Sequence, residues 1–133
     1  MGLVAHAVVG AGAALGALAR FGVVLAALAT LGPAFAWGTL AANMAGSFLI
    51  CLYVGTAPAA DRSERPVHLD RFVVAGFCGG FTTFSIFSLE TVFLWQEGPA
   101  LAGAYVAVSL AAWLAAGWAG FALATRLNSR AGA

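Results

Sequence analysis

The distribution of charge along this chain restricts its fold more than any other feature. The sequence has 133 residues but only 6 basic and 5 acidic side chains, or 8 % of the residues, whereas a soluble domain has about 25 %. Most charges lie between residues 61 and 71 or near the C-terminus, and only Arg20 and Glu90 interrupt the long apolar runs. A water-soluble fold needs a charged surface. We therefore predict an integral membrane protein.

The same composition excludes several classes of function. The net charge of +1 provides no basic surface for phosphates, so we do not expect a nucleic-acid partner. Two cysteines cannot form a disulfide scaffold, and Cys51 and Cys78 are expected to be small packing residues. The sequence contains no metal-ligand spacing and no nucleophile–base arrangement. We therefore do not expect an enzyme.

The uncharged stretches predict how the chain crosses the membrane. A helix needs about 20 apolar residues to span the hydrocarbon layer. The uncharged run from 21 to 60 is too long for one span, and it is interrupted at Gly32-Pro33. We predict an all-α membrane protein with four transmembrane helices, at about 3–31, 37–56, 72–95 and 99–125. With a polar loop at 57–71, they form a single four-helix domain over residues 1–133.

Four spans place both termini on the same side of the lipid bilayer. That side would carry five of the six arginines, and the opposite side would carry at most Arg20. The five are Arg62, Arg65, Arg71, Arg126 and Arg130. Because cytoplasmic segments are enriched in arginine and lysine, we predict a multi-pass plasma-membrane protein with a cytoplasmic N-terminus, with both orientations left open.

Two patterns of small residues allow close contact between helices. Gly12 and Gly16 are four residues apart, as are Gly76 and Gly80. In lipid, such G-x-x-x-G pairs let two helix backbones approach closely. The pattern is compatible with a specific dimer face or with ordinary packing inside one bundle.

Polar side chains recur on one face of the second span. Thr39, Asn43 and Ser47 are spaced by four residues and form a line along the helix. The two hydroxyls are explained by helix–helix contacts or by bonds to their own helix. An amide in lipid is costly unless it is hydrogen-bonded, and the two donors of Asn43 cannot both be satisfied within its own helix. We therefore assign Asn43 a functional role.

The third span contains the densest group of unusual residues. Gly79-Gly80 is followed closely by Thr82-Thr83, which is a poor helix-forming sequence and predicts a break near Gly79–Thr83. The carbonyl groups freed by such a break are ligands suited to a small cation such as Na+. After the break, Phe84 and Phe87 share a face, and the positive edges of their rings could hold a small anion.

These residues carry a resemblance to a known family. Residues 76–90, Gly-Phe-Cys-Gly-Gly-Phe-Thr-Thr-Phe-Ser-Ile-Phe-Ser-Leu-Glu, closely resemble the third-helix signature of the Fluc/CrcB fluoride channels. Residues 38–43, Gly-Thr-Leu-Ala-Ala-Asn, resemble the second-helix signature, and Arg20 matches a first-helix arginine. The resemblance covers nearly the whole chain. It implies a passive fluoride-selective channel that exports fluoride from the cytoplasm and lowers its toxicity.

The resemblance also implies an assembly and a role for each matching residue. The family forms antiparallel, dual-topology dimers with pores along the subunit interface and a central structural Na+. The implied Na+ ligands are the backbone carbonyls of Gly79 and Thr82. Arg20, Thr39 and Glu90 would lie at a vestibule. The implied fluoride-pore residues are Asn43, Thr83, Phe84, Ser85, Phe87, Tyr105 and Ser109.

Two features of the chain depart from the family pattern. The family continues a track of hydroxyl groups along its fourth helix, but here Tyr105 and Ser109 are followed at the same spacing by Trp113 and Gly117. The track could be shortened or blocked at Trp113, or Trp113 could face lipid. The second departure is the arginine imbalance, because dual insertion requires nearly balanced charge. The second subunit could therefore be the same chain or a homologue encoded by a paired gene.

Two alternative functions explain fewer of these sequence features than a channel does. A small multidrug-type, proton-coupled exporter also has four spans, but it needs an ionisable residue within the membrane and usually has a glutamate in its first helix. The first span here contains no acid. A non-conducting subunit of a paired-gene membrane complex would explain the small residues and the charge bias, but not Asn43 or the predicted break.

Overall fold

The computed structural model of the chain describes residues 2–56 and 66–131. Four of its helical segments are long and apolar enough to cross a membrane, and the described residues form no β-strand. The prediction of an all-α membrane protein with four transmembrane helices is confirmed. The helices are α1 (Leu3–Leu31), α2 (Trp37–Gly55), α3 (Val67–Asp70), a π-helix (Arg71–Cys78), α4 (Gly79–Phe81), α5 (Ser85–Glu97) and α6 (Pro99–Ala131).

The turn between α1 and α2 forms where the sequence predicts it. Gly32 follows the last residue of α1 and has a φ angle of 76°, a left-handed conformation that glycine adopts without steric cost. Its amide donates a hydrogen bond to the carbonyl of Leu28 at 3.1 Å. Pro33 follows, and it has no amide hydrogen with which to continue the helix.

The third span extends over Val67–Glu97 but is not one continuous helix. It begins with α3, widens into the eight-residue π-helix, and returns to α-helical geometry in the short α4. The chain then becomes extended at Thr82, where φ is −81° and ψ is 159°, and α5 begins at Ser85. The predicted break near Gly79–Thr83 is confirmed.

The two G-x-x-x-G patterns contact each other inside one chain. A Cβ atom added at Gly12 would lie 2.9 Å from the backbone nitrogen of Phe77, and one at Gly80 would lie 2.8 Å from the Cα atom of Ala13. Only glycine allows backbones to approach so closely. The patterns therefore pack the first span against the third, as the interpretation of packing inside one bundle requires.

The remaining packing brings α2 and α6 together. A Cβ atom at Gly55 would lie 2.7 Å from the Cβ atom of Ala124. Near the C-terminus, the side-chain amide of Asn128 donates a hydrogen bond to the carbonyl of Gly55 at 2.9 Å. This bond satisfies a carbonyl at the end of α2 that has no partner in its own helix, and α6 continues beyond its predicted end at residue 125.

The loop predicted at 57–71 differs from the structure at its C-terminal end. Residues 57–65, including Arg62 and Arg65, lie outside the described residues. Val67–Asp70 are helical, because charged residues are tolerated in a helix that extends past the hydrocarbon layer. The hydroxyl of Tyr53 donates to Oδ1 of Asp70 at 2.7 Å. This contact places the end of α2 beside the start of the third span.

Candidate functional site

The break in the third span is held by a side chain from the second. The amide nitrogen of Asn43 donates to the carbonyl of Thr83 at 2.8 Å, and the backbone amide of Thr83 donates to Oδ1 of Asn43 at 2.7 Å. Asn43 is buried in the middle of α2. Its side chain therefore replaces the backbone partners that Thr83 would have in a continuous helix, as required at membrane depth.

This pairing releases the carbonyl of Gly79. In a continuous helix that carbonyl would accept from the amide of Thr83, but here the amide donates to Asn43. The carbonyl of Thr82 is released in the same way. Its helical partner would be the amide of Ile86, which instead donates to the hydroxyl of Thr83 at 3.3 Å.

Thr83 and Ser85 begin the second half of the third span. The hydroxyl of Thr83 accepts from the amide of Ile86 near the start of α5, as an N-cap does. The hydroxyl oxygens of Thr83 and Ser85 lie 3.3 Å apart. The two residues predicted to be in the pore therefore also fix the start of α5.

Arg20 approaches the break from the first span. Its Nε atom donates to the carbonyl of Gly80 at 3.3 Å. That carbonyl is near the C-terminal end of α4, where helix carbonyls lack amide partners and a positive charge is favoured. Arg20 thus lies at the break, apart from Thr39 and Glu90, the other two residues predicted at a vestibule.

Phe84 and Phe87 have very different surroundings although their rings are neighbours. The ring centroids are 5.6 Å apart with an interplanar angle of 50°. Phe84 is 70 % exposed on the surface of this single chain, whereas Phe87 is 5 % exposed. Phe87 packs against the rings of Tyr105 and Trp113, at centroid distances of 5.2 and 4.8 Å.

An open pocket of about 330 Å³ adjoins the break. It lies between the second, third and fourth spans, and none of its lining residues is acidic or basic. The lining residues that matter here are Asn43, Gly79, Thr82, Thr83, Phe84 and Trp113. The pocket thus brings together predicted pore residues and both predicted Na+ ligands.

A second polar cluster surrounds Glu90. The hydroxyl of Thr39 donates to Oε1 of Glu90 at 2.7 Å, and the hydroxyl of Tyr105 donates to Oε2 at 2.6 Å. Thr39 and Tyr105 are 3 % and 1 % exposed. Thr39 and Glu90 also line a separate pocket of about 320 Å³ that extends to the turn at Gly32 and Pro33. Tyr105, predicted to be a pore residue, joins the two vestibule residues here.

Two buried donors of the fourth span lie near this region. Nε1 of Trp113 makes no hydrogen bond to any residue that the structure describes, whereas the hydroxyl of Ser109 interacts with that of Tyr105. Trp113 lines the pocket and meets the ring of Phe87 in an edge arrangement at 69°. Trp113 is half-buried on this single chain and lies beside the pocket. Its spacing of four residues from Ser109 is the sequence signal that indicates this placement.

Comparisons with known proteins identify relatives of this chain. A family model described as "CrcB-like protein, Camphor Resistance (CrcB)" matches residues 7–121. The chain is 44 % identical over 124 residues to a "Fluoride-specific ion channel FluC 1" from Rhodopseudomonas palustris (strain BisB18), which covers 92 % of this chain and 88 % of that protein. It is 43 % identical over 122 residues to a "Fluoride-specific ion channel FluC" from Agrobacterium fabrum (strain C58 / ATCC 33970), covering 91 % and 96 %.

Proposed function

We propose that this chain, which belongs to the CrcB family, forms a passive, fluoride-selective channel that exports fluoride from the cytoplasm. Its relatives are named fluoride-specific ion channels. The family is one of transport proteins and not of enzymes, and the four spans make this chain a multi-pass protein of the plasma membrane. Fluoride would leave the cell down its own electrochemical gradient, and its toxic effect on the cell would therefore fall.

One observation carries the proposal: the break in the third span lies beside a pocket lined by neutral groups. Asn43 and the ring of Phe84 line it, and no lining residue is acidic or basic. Fluoride is tightly hydrated, so a channel must replace its water with other donors along the path. Neutral donors suit that task because they bind an ion weakly enough to release it.

The two phenylalanines would contribute through the edges of their rings. Ring edges carry partial positive charge, and the Phe84 and Phe87 rings are neighbours at the break. Asn43 uses one of its two amide hydrogens on the carbonyl of Thr83. We assign its other hydrogen to fluoride.

The released carbonyls of Gly79 and Thr82 support a structural Na+. Both carbonyls have lost their helical partner amides to side chains. Backbone oxygens are suitable ligands for a small cation. Among the residues that the structure describes, no group of three or more His, Cys, Asp or Glu side chains offers another metal site. The ion would add positive charge beside the pore and satisfy the broken backbone.

The exposed part of the break supports a second subunit. Gly79 and Phe84 are exposed on a single chain, yet irregular backbone within a membrane must be covered by protein, water or an ion. Thr82 is at the centre of the span Val67–Glu97. Two copies inserted antiparallel would therefore place their breaks at the same depth, where they could share one Na+ and complete two pores.

The arginines favour one orientation for this chain. The bonds from Tyr53 to Asp70 and from Asn128 to Gly55 place Arg71 and Arg126 at one end of the bundle. Arg20 lies at the break rather than at the opposite end. By the positive-inside rule, the end with Arg71 and Arg126 would be cytoplasmic, as would the N-terminus. This bias favours a paired homologue as the partner of opposite orientation, and a second copy of this chain is the alternative.

The direct test is fluoride efflux from liposomes that contain only this protein. Release is followed with a fluoride electrode, and chloride release from the same liposomes is the control for selectivity. We expect fast fluoride release without chloride release. Release of both ions, or fluoride release that requires a proton gradient, contradicts a passive selective channel and favours an exporter.

A second arm of this experiment tests the assembly. If well-folded protein releases no fluoride, the chain is co-expressed with a neighbouring homologue and the complex is assayed in the same way. Recovery of flux identifies a heterodimer, whereas continued absence of flux identifies a subunit that does not conduct. Replacement of external and internal Na+ by a large organic cation tests the central ion.

A further inference from the structure

We propose that the indole N–H of Trp113 is a hydrogen-bond donor to fluoride in the pore. This inference rests on the proposed channel function and deepens it, because it assigns a residue that the family's hydroxyl pattern does not include. Trp113 is on α6 and lines the pocket beside Asn43 and Thr83, and its buried Nε1 has no hydrogen-bond partner in the described part of the chain. The juxtaposition of an unused donor and a neutral pocket carries the assignment.

A buried hydrogen-bond donor such as the N–H of Trp113 needs a partner inside a membrane. Buried tryptophan normally finds a partner for its N–H, and a donor without one in a dry environment is costly. Nε1 of Trp113 has none among the residues that the structure describes. The hydrocarbon layer supplies no water to replace it. A ligand that accepts a hydrogen bond is therefore expected at this position.

The donor group of Trp113 restricts the charge of that ligand. The indole N–H only donates, so it favours an anion or a neutral acceptor and cannot bind a cation. Ser109, fully buried and one helical turn before Trp113, carries a second donor on the same face of α6, beside the hydroxyl of Tyr105. A line of donors on one helix face suits a small, dehydrated anion.

The indole of Trp113 must be held beside the pocket and its N–H must be able to reach an ion there. The ring of Trp113 packs edge-on against Phe87 with centroids 4.8 Å apart, which places the indole beside the pocket. The χ2 torsion of tryptophan is broad, so the N–H can turn toward an ion in the pocket. Fluoride is the smallest halide and needs little room there. Trp113 is thus a fluoride ligand rather than a plug that closes the pore.

Substitutions at Trp113 separate the ligand from the plug. Trp113→Phe keeps an aromatic ring but removes the N–H group together with part of the ring volume. We expect fluoride efflux to fall by about ten- to a hundredfold, as for loss of a hydrogen bond to a charged group. Trp113→Ser provides a smaller donor, and we expect its flux to be closer to that of the wild type than the flux of Trp113→Phe.

The matched control is Trp118→Phe. Trp118 is on the same helix but is 74 % exposed, and it lines neither pocket, so its flux should equal that of the wild type. Wild-type flux in Trp113→Phe would overturn the assignment. Flux above wild type in Trp113→Ser would identify Trp113 as a plug and would also overturn it.

A spectroscopic measurement on the unchanged protein does not depend on flux or on the folding of a variant. The chain has four tryptophans, whose indole N–H signals can be followed by ¹H–¹⁵N NMR during titration with fluoride and, separately, chloride. We expect the Trp113 signal to move with fluoride and not with chloride, while the Trp118 signal stays unchanged. A Trp113 signal that fluoride leaves in place refutes the inference. Absence of efflux both from the wild-type protein alone and from its complex with a co-expressed homologue, by contrast, refutes the channel itself.

Discussion

The two polar clusters of this protein differ in how completely their hydrogen bonds are formed. In the Glu90 cluster, which consists of Thr39, Glu90 and Tyr105, each carboxylate oxygen accepts a short bond from a buried hydroxyl. The Asn43 cluster consists of Asn43, Thr83 and Trp113. There, Asn43 satisfies the backbone of Thr83, but the donor of Trp113 has no partner within the described chain.

This difference shows where an ion can be accommodated. A completed set of buried hydrogen bonds fixes side chains in one geometry and leaves little capacity to bind anything else. An incomplete set at membrane depth is unfavourable unless a ligand completes it. We therefore expect the Asn43 cluster to belong to the ion path and the Glu90 cluster to hold α2, α5 and α6 together beside it.

The largest effect is expected from Gly16→Ala, which would disturb both clusters. A Cβ atom at this position would lie 2.7 Å from the backbone nitrogen of Phe81, immediately before the break, and backbone atoms cannot move aside cheaply. We expect loss of folded protein in size-exclusion chromatography. The matched control is Gly22→Ala, where a Cβ atom meets nothing within 4 Å. Equal yields for the two variants would contradict the close crossing.

Asn43→Asp is expected to disable the Asn43 cluster alone. A carboxylate cannot donate to the carbonyl of Thr83 and repels an approaching anion, so we expect liposome efflux to drop to the background leak. Met44→Leu, a conservative change at the next residue of α2, should keep wild-type flux. Normal flux in Asn43→Asp would remove Asn43 from the pore.

The two phenylalanines should respond differently to the same change. Both Phe84→Ile and Phe87→Ile remove a ring edge, so each should reduce fluoride efflux. Only Phe87 is buried, so Phe87→Ile should also lower the free energy of unfolding, by about 1–3 kcal/mol. Thermal unfolding in detergent measures the second effect. Near-normal flux in both variants would mean that these rings face elsewhere.

The smallest effect is expected from Glu90→Gln. The amide keeps one acceptor for the hydroxyl of Thr39 or Tyr105 and offers donors to the other, so efflux and unfolding temperature should change little. Glu90→Ala leaves both hydroxyls unpaired and should cost about 1–3 kcal/mol of unfolding free energy for each. If instead Glu90→Gln stops efflux while the protein remains folded, the carboxylate belongs to the ion path and the distinction between the clusters fails.

The sequence predicts much of this site because lipid makes polar residues conspicuous. The break near Gly79–Thr83 and the importance of Asn43 both follow from groups that cannot remain unpaired in hydrocarbon. The hydrogen-bond partners of those groups cannot be derived from the sequence. Nothing in the spacing of Asn43 shows that its amide binds the backbone of Thr83, 40 residues away, because such pairing depends on how the second and third spans are aligned.

The surroundings of Arg20 and Trp113 also could not be predicted from the sequence alone. Each is recognisable as unusual, yet the sequence leaves Arg20 at a vestibule and Trp113 undecided between the pore and lipid. The glycine crossing of the first and third spans brings Arg20 to the carbonyl of Gly80. The packing of α5 on α6 turns Trp113 toward Phe87.

The amino-acid sequence alone predicts the lipid environment, the four helices, the break and the residue types of the candidate pore. It could do so because the scarcity of charge, the length of apolar runs and the conformational limits of glycine and proline act locally along the chain. Which hydrogen-bond donors find partners depends on the tertiary structure. Whether a buried group is satisfied depends on atoms contributed by other helices, and Trp113 remains unpaired within the described chain because none of those atoms accepts its hydrogen.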